Sequence, residues 1–105
     1  MELSIDTSTR YASVAISEEG KLMHYHTWKS QRNHSVELVP SILKLLESHH
    51  FTVEDLDAIF VAKGPGAFSA LRVGMSTSKT LSFGLNIPIV GIPTTEIEIN
   101  PFIHN

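Results

Sequence analysis

Apolar and polar residues alternate in two distinct rhythms along this chain. The first 28 residues run largely with period two. "ELSID" alternates and then gives way to "TSTR", a turn of small hydroxyl residues. "YASVAIS" sets Ala12, Val14 and Ile16 on one strand face, and "EEG" reads as a hairpin turn. "KLMHYHTW" sets Leu22, His24 and His26 on one face and Met23, Tyr25 and Thr27 on the other. Three short strands with short connections predict an antiparallel meander.

The rhythm then lengthens. "NHSVELVPSILKLLESHH" predicts a helix, capped by Asn33 or Ser35. Its apolar residues are Val36, Leu38, Val39, Ile42, Leu43, Leu45 and Leu46. At about 100° per residue they cover roughly half the circumference, more than the roughly 100° arc that an ordinary surface helix buries. Pro40 is expected near the first turn, where a missing N–H is tolerated. "FTVEDL" is a connector. "DAIFVAK" is a near-continuous apolar run, the mark of a strand buried on both faces. "AFSALRVGMSTSKTLSFGL" predicts a second helix, and "IPIVGIP" another buried strand. Residues 1–95 form one domain in this reading, and the tail 96–105 is expected to be irregular.

The element order is βββαβαβ, an α/β fold with a mixed five-stranded sheet and right-handed crossovers. This is the order of the ribonuclease H-like fold, found also in each half of the actin-like (ASKHA) ATPases. A chain of 105 residues builds one modest core. Only 18% of its residues are charged, which points to some surface being covered by a partner. Net charge is −3, so there is no electrostatic footprint for direct nucleic-acid binding. With no cysteine, disulfides, thiolate catalysis and zinc–cysteine sites are excluded. The N-terminus lacks a signal-peptide pattern, and no run approaches the roughly 20 apolar residues of a membrane span. A cytoplasmic protein is expected.

The stretch "AKGPGAFSALRVG" invites a nucleotide-binding reading, because a glycine-rich turn opens a helix whose first amides could hold an anion. The known motifs fail in detail. A P-loop needs Gly-Lys-Ser/Thr after four spacer residues, and "GPGAFSAL" has no lysine there. In "GMSTSKT", Lys79 and Thr80 lie inside the helix without the second glycine. A dinucleotide fingerprint needs glycine at position 69, where Ser69 stands. The alternative is a tight structural turn, with Gly64 and Gly66 supplying backbone angles closed to other residues around Pro65.

Asp6 closes the first strand and could hold magnesium in a ribonuclease H-like enzyme. Two-metal nuclease chemistry needs several converging carboxylates, and Asp55 and Asp57 form no clear cluster with it. The plainer role is an Asx turn. No zincin pattern exists, since His34 is followed four residues on by Leu38. His24 and His26 read as residues of an exposed edge strand. No Gly-x-Ser-x-Gly elbow occurs, and neither catalytic residue, cofactor nor metal ligand is assigned.

The segments "LSIDTSTRYASVAI", "NHSVELVPSI" and "AKGPGAFSALRVGMSTSKTLSFGLNIPIVGI" together resemble the bacterial TsaB (YeaZ) family over residues 2–95. Gly64 to Gly91 is the most specific part: the Gly-Pro-Gly turn, Phe68, Leu71-Arg72-Val73-Gly74, and the run from Lys79 to Pro88. The resemblance implies an actin-like fold. It also implies a non-catalytic partner of TsaD, the subunit that places a threonylcarbamoyl group on adenosine 37 of tRNAs. A TsaE-like ATPase joins that assembly, and tRNA is met only indirectly. Older usage calls the family a glycoprotease, but no peptidase or ATPase activity is expected of this chain alone. Family members carry two halves, and this chain matches the first. The Gly64–Gly66 turn is therefore expected to be mainly structural and the chain to work by contact. Two rival readings stand beside it: a small magnesium-dependent phosphotransferase built on Asp6, and a remnant that folds but has no partner.

The wide apolar arc of the first helix and the near-absence of charge on the second predict an exposed strip. It would run through Val36, Val39, Leu43, Leu71, Met75 and Ser78. Such a strip marks an interface, here a homodimer for which a TsaD-like subunit competes. Arg72, nearly on the same face as Lys79, is expected to orient a partner's carboxylate or to cap a neighbouring helix end, the plain alternative being a solvated charge.

Overall fold

The computed structural model describes residues 1–8, 11–29, 34–64 and 68–93. The expected irregular tail and the cap at Asn33 lie outside them. Five strands and two helices follow in the anticipated order. They are β1 (Glu2–Asp6), β2 (Tyr11–Glu18), β3 (Lys21–Lys29), α1 (His34–Ser48), β4 (Ala58–Gly64), α2 (Phe68–Leu85) and β5 (Ile89–Pro93), with a single 3₁₀ turn at Val53–Asp55 before β4. The sheet order is β3-β2-β1-β4-β5. The meander strands pair antiparallel, while β1–β4 and β4–β5 pair parallel.

Local chemistry accounts for each joint. The β2–β3 connection is Glu19-Gly20, with φ of 51° and 80°. Positive φ at both central residues marks the type I′ turn, whose twist matches that of the strands it joins. Helix α1 ends in a Schellman motif. The Phe51 N–H donates to the Leu46 carbonyl at 2.8 Å and the His50 N–H to that of Glu47 at 3.1 Å. His50 takes the left-handed position, at φ 65°. Helix α2 closes similarly on Asn86, at φ 56°, with the Ile87 N–H donating to the Ser82 carbonyl at 3.1 Å.

Two details of α1 differ from expectation. The helix begins at His34, so Ser35 lies inside it rather than at its cap. Pro40 is the seventh residue of the helix, in its second turn. Its missing N–H leaves the Val36 carbonyl without the usual intrahelical donor. Val36 and Pro40 are both exposed, so the proline lies on the solvent side of the helix and not in the core.

Period two decides which strand faces are buried. Leu3 and Ile5 of β1, Val14 and Ile16 of β2, and Ile59 and Val61 of β4 form one inner face. Leu38, Ile42, Leu45 and Leu46 of α1 pack on it. Helix α2 lies over the same face, where Gly74 meets Ile5 and Val61. At about 25 cal/mol per Å² of apolar surface, this shared layer is the main source of stability. The opposite face carries Ser4, Ala15, Tyr25, Phe60 and Val90 in one cross-strand row, and no described element covers it. Among the described residues, no helix is long and apolar enough to cross a membrane.

Candidate interaction surface

The glycine turn that drew attention in the sequence leaves the C-terminal end of β4. Gly64 adopts φ 119°, a conformation closed to side chains with a Cβ. Pro65 and Gly66 lie outside the described residues. The helix that follows is seated tightly on the sheet. Thr7, fully buried at the end of β1, donates from Oγ1 to the Ala70 carbonyl at 2.6 Å. A Cβ on Gly74 would stand 2.7 Å from that same Oγ1, 3.6 Å from Val61 and 3.7 Å from Ile5.

Asp6 makes the Asx turn. Its Oδ1 accepts the Ser8 N–H at 2.9 Å and the Ser8 hydroxyl at 2.5 Å. The other carboxylates weighed as partners for Asp6 belong to the opposite end of the sheet. Asp57 precedes β4, whose first residue pairs with Glu2 at the start of β1. Asp6 closes β1, about 13 Å further along at strand rise. Asp57 accepts from the Met1 ammonium, and Asp55 accepts the Thr52 N–H at 2.8 Å. These positions do not assemble a two-metal carboxylate set. Among the described residues, no three histidine, aspartate or glutamate side chains are grouped to hold a metal.

The helix surfaces are divided differently from the expected strip. Val36, Val39 and Leu43 are 66%, 41% and 42% exposed and form an apolar ridge along α1. Arg72 is exposed on α2, as is Lys79. Leu71 and Ser78 are not exposed, which corrects the sequence expectation. Ala70, Leu71, Gly74 and Ser78 share the α2 face pressed against the sheet. Small residues there let the helix backbone approach closely, and that same approach buries Ser78. Its hydroxyl has no hydrogen-bond partner among the described residues. Met75 is half-buried and packs against the core.

Sequence reasoning passed over Phe83. It is 92% exposed on the outer face of α2, one turn beyond Lys79. The signal was present, because Arg72, Lys79 and Phe83 recur at the i+7 and i+4 spacing of one helix face. The exposed side of α2 thus carries two cations and an aromatic ring, and that of α1 an aliphatic ridge.

Residues 28–102 match the family model described as TsaD: tRNA N6-adenosine threonylcarbamoyltransferase. The chain belongs to this family. Within it the chain matches the N-terminal part of TsaB (YeaZ) proteins. It is 35% identical over 94 residues to the tRNA threonylcarbamoyladenosine biosynthesis protein TsaB of Bacillus subtilis, covering 90% of this chain and 41% of that protein. The solved structure of YeaZ from Pseudomonas aeruginosa superposes with a TM-score of 0.79 at 32% identity, covering 88% of this chain and 42% of that one. The chain therefore spans about two fifths of the length of these relatives. RuvC of T. thermophilus, solved with a Holliday junction substrate, shares the fold at a TM-score of 0.60 and 16% identity, over 92% of this chain and 66% of that one. The TsaB-like chain thus has the ribonuclease H-like fold that its element order predicted.

Proposed function

We propose that this chain serves tRNA threonylcarbamoyladenosine formation as a non-catalytic partner of a TsaD-like subunit. The observation that carries the reading is the 35% identity to TsaB over 90% of the chain. The arrangement of side chains supports contact rather than chemistry. Asp6 is engaged in its own turn, and the Gly64 turn delivers α2 onto the sheet. In this proposal the surface in use is the α1 ridge of Val36, Val39 and Leu43, together with Arg72 on the exposed side of α2. The same ridge joins two copies when no partner is present, so that self-association and partner binding compete. A TsaE-like ATPase enters only with the assembled complex, and tRNA is contacted through the partner. Leu71 and Ser78, being buried, take no part.

The test is co-purification with a TsaD-like subunit together with sedimentation of the chain alone. Val39→Glu places a charge in the middle of the ridge without entering the core. It should leave the fold intact, give a monomer, and weaken TsaD capture at least tenfold. Wild-type chain that is monomeric at high concentration and fails to capture the subunit would remove this reading.

A further inference from the structure

The described helices cover one face of the sheet, and its two halves differ in what they turn to the bare side. In the antiparallel half that side is largely hydroxylic. Ser13 Oγ lies 3.2 Å from Thr27 Oγ1, and the Ser17 hydroxyl donates to Glu2 at 3.0 Å. Antiparallel strands commonly leave such a face to water. The parallel half is apolar. Ile59 and Val61 of β4 point into the core, so Phe60 and Ala62 point the other way. Phe60 pairs with Val90 and Ala62 with Ile92 across the β4–β5 ladder, which sets all four on the bare side. Phe60 and Ile92 are half-buried, and Val90 is 43% exposed. Parallel strands that are apolar on both faces are normally covered on both, and no described element covers this one.

Strand β5 is the edge of the sheet and ends at Pro93, at one corner of that apolar surface. The residues that follow, "TTEIEINPFIHN", lie outside the described ones. Their sequence has a period of two at its centre. Ile97 and Ile99 fall on one side of an extended segment, and Glu96 and Glu98 on the other. Val90 stands three strand rises, about 10 Å, back along β5 from Pro93. Four extended residues span about 13 Å, so Ile97 has the reach to return to Val90. Phe60, on the neighbouring strand about 5 Å away, is then within reach of Ile99.

We infer that residues 94–105 dock on the bare face of β4 and β5 of the same molecule, with Ile97 and Ile99 seated on Phe60, Val90 and Ile92 and with Glu96 and Glu98 in water. Attachment chooses the occupant. A segment tethered by a few residues is present at an effective concentration on the order of millimolar, so a second copy or a separate protein meets the face already filled. This surface lies on the side of the sheet away from the α1 ridge, so failure of either proposal leaves the other standing.

The chain has no cysteine, so a single introduced thiol reports its own exposure. Ile97→Cys and Glu98→Cys are made separately in the full chain. Each is labelled with a water-soluble maleimide, and its rate is divided by its rate in concentrated urea. We expect the thiol at position 97 to be protected at least tenfold more than the one at position 98, and equally so after hundredfold dilution of the protein. Adding Val90→Glu to Ile97→Cys should remove the protection. The fluorescence of Trp28, which packs against the core on the helix side, should stay as in the parent. If that variant does not fold, Val90→Thr, which keeps the shape and adds a hydroxyl, should lower the protection at least threefold. The proposal is overturned if positions 97 and 98 label alike or if the protection survives Val90→Glu. Protection that disappears on dilution would also overturn it, since the occupant would then be a second copy.

Discussion

Gly74 sits where α2 comes closest to β1, and alanine there sets two effects against each other. Alanine is the better helix former by about 1 kcal/mol. Its Cβ would also meet Thr7 Oγ1 at 2.7 Å. That oxygen cannot retreat freely, because Thr7 is fully buried and its hydroxyl is committed to the Ala70 carbonyl. Overpacking of this kind costs about 1–3 kcal/mol, so the clash outweighs the propensity. Gly74→Ala should lower the urea midpoint. Gly84→Ala, with nothing within 4 Å of the new methyl, should raise stability by up to about 1 kcal/mol. If both glycines respond alike, close packing of α2 is not the reason for Gly74. The small residues Ala70, Gly74 and Ser78 recur four apart in the sequence of α2. Spacing alone did not reveal that the stripe faces the sheet and thereby buries Leu71 and Ser78.

The strands and helices were largely legible because each is patterned for one neighbour. Ala12, Val14 and Ile16 alternate toward one inner face, and Leu38, Ile42 and Leu45 fall on the helix stripe that meets it. Legibility failed where a residue's role depends on a distant element. Pro40 looks like a first-turn proline until the start of α1 is fixed. Phe83 looks like core until the sheet is seen to lie on the other side of α2. His50 is a further case, since nothing local announces a left-handed residue there. At φ 65° a histidine carries a cost of about 1–2 kcal/mol that glycine does not. His50→Gly should therefore stabilise the chain by about 1 kcal/mol, less the greater freedom of glycine in the unfolded chain. Urea denaturation measures the net effect, and a destabilised variant would show that the His50 side chain has a role beyond the cap. Neighbouring His49 adds an acid-side dependence. Burial, and then the charges of His24 and His50, hold its imidazole below the usual histidine range. Its contribution is present above about pH 6.5 and is lost as pH falls through the lowered value.

At the scale of the whole molecule, the lower end of the sheet is gathered by one cation. The Met1 ammonium donates to Asp57, which leads into β4, and lies 2.9 Å from Glu18 at the end of β2. One group thus links the start of the central strand to both its neighbours. The hydrogen bond it donates to Asp57, then that to Glu18, raises its pKa from 8.0 to about 10. The folded value exceeds the unfolded one, so the stabilisation is complete below about pH 8 and fades as pH rises through 10. Between pH 7 and 10.5 the urea midpoint of wild-type chain should fall more than that of Asp57→Asn. Equal slopes would mean that the clip contributes nothing. The arrangement has a practical side. A residue joined ahead of Met1, whether an affinity tag or the scar left by its removal, turns the ammonium into an uncharged amide. Glu18 and Asp57 are then left as two carboxylates with no shared counterion. Tagged and untagged preparations of this chain are therefore different molecules at that end of the sheet, and stability measured on one should not be assigned to the other.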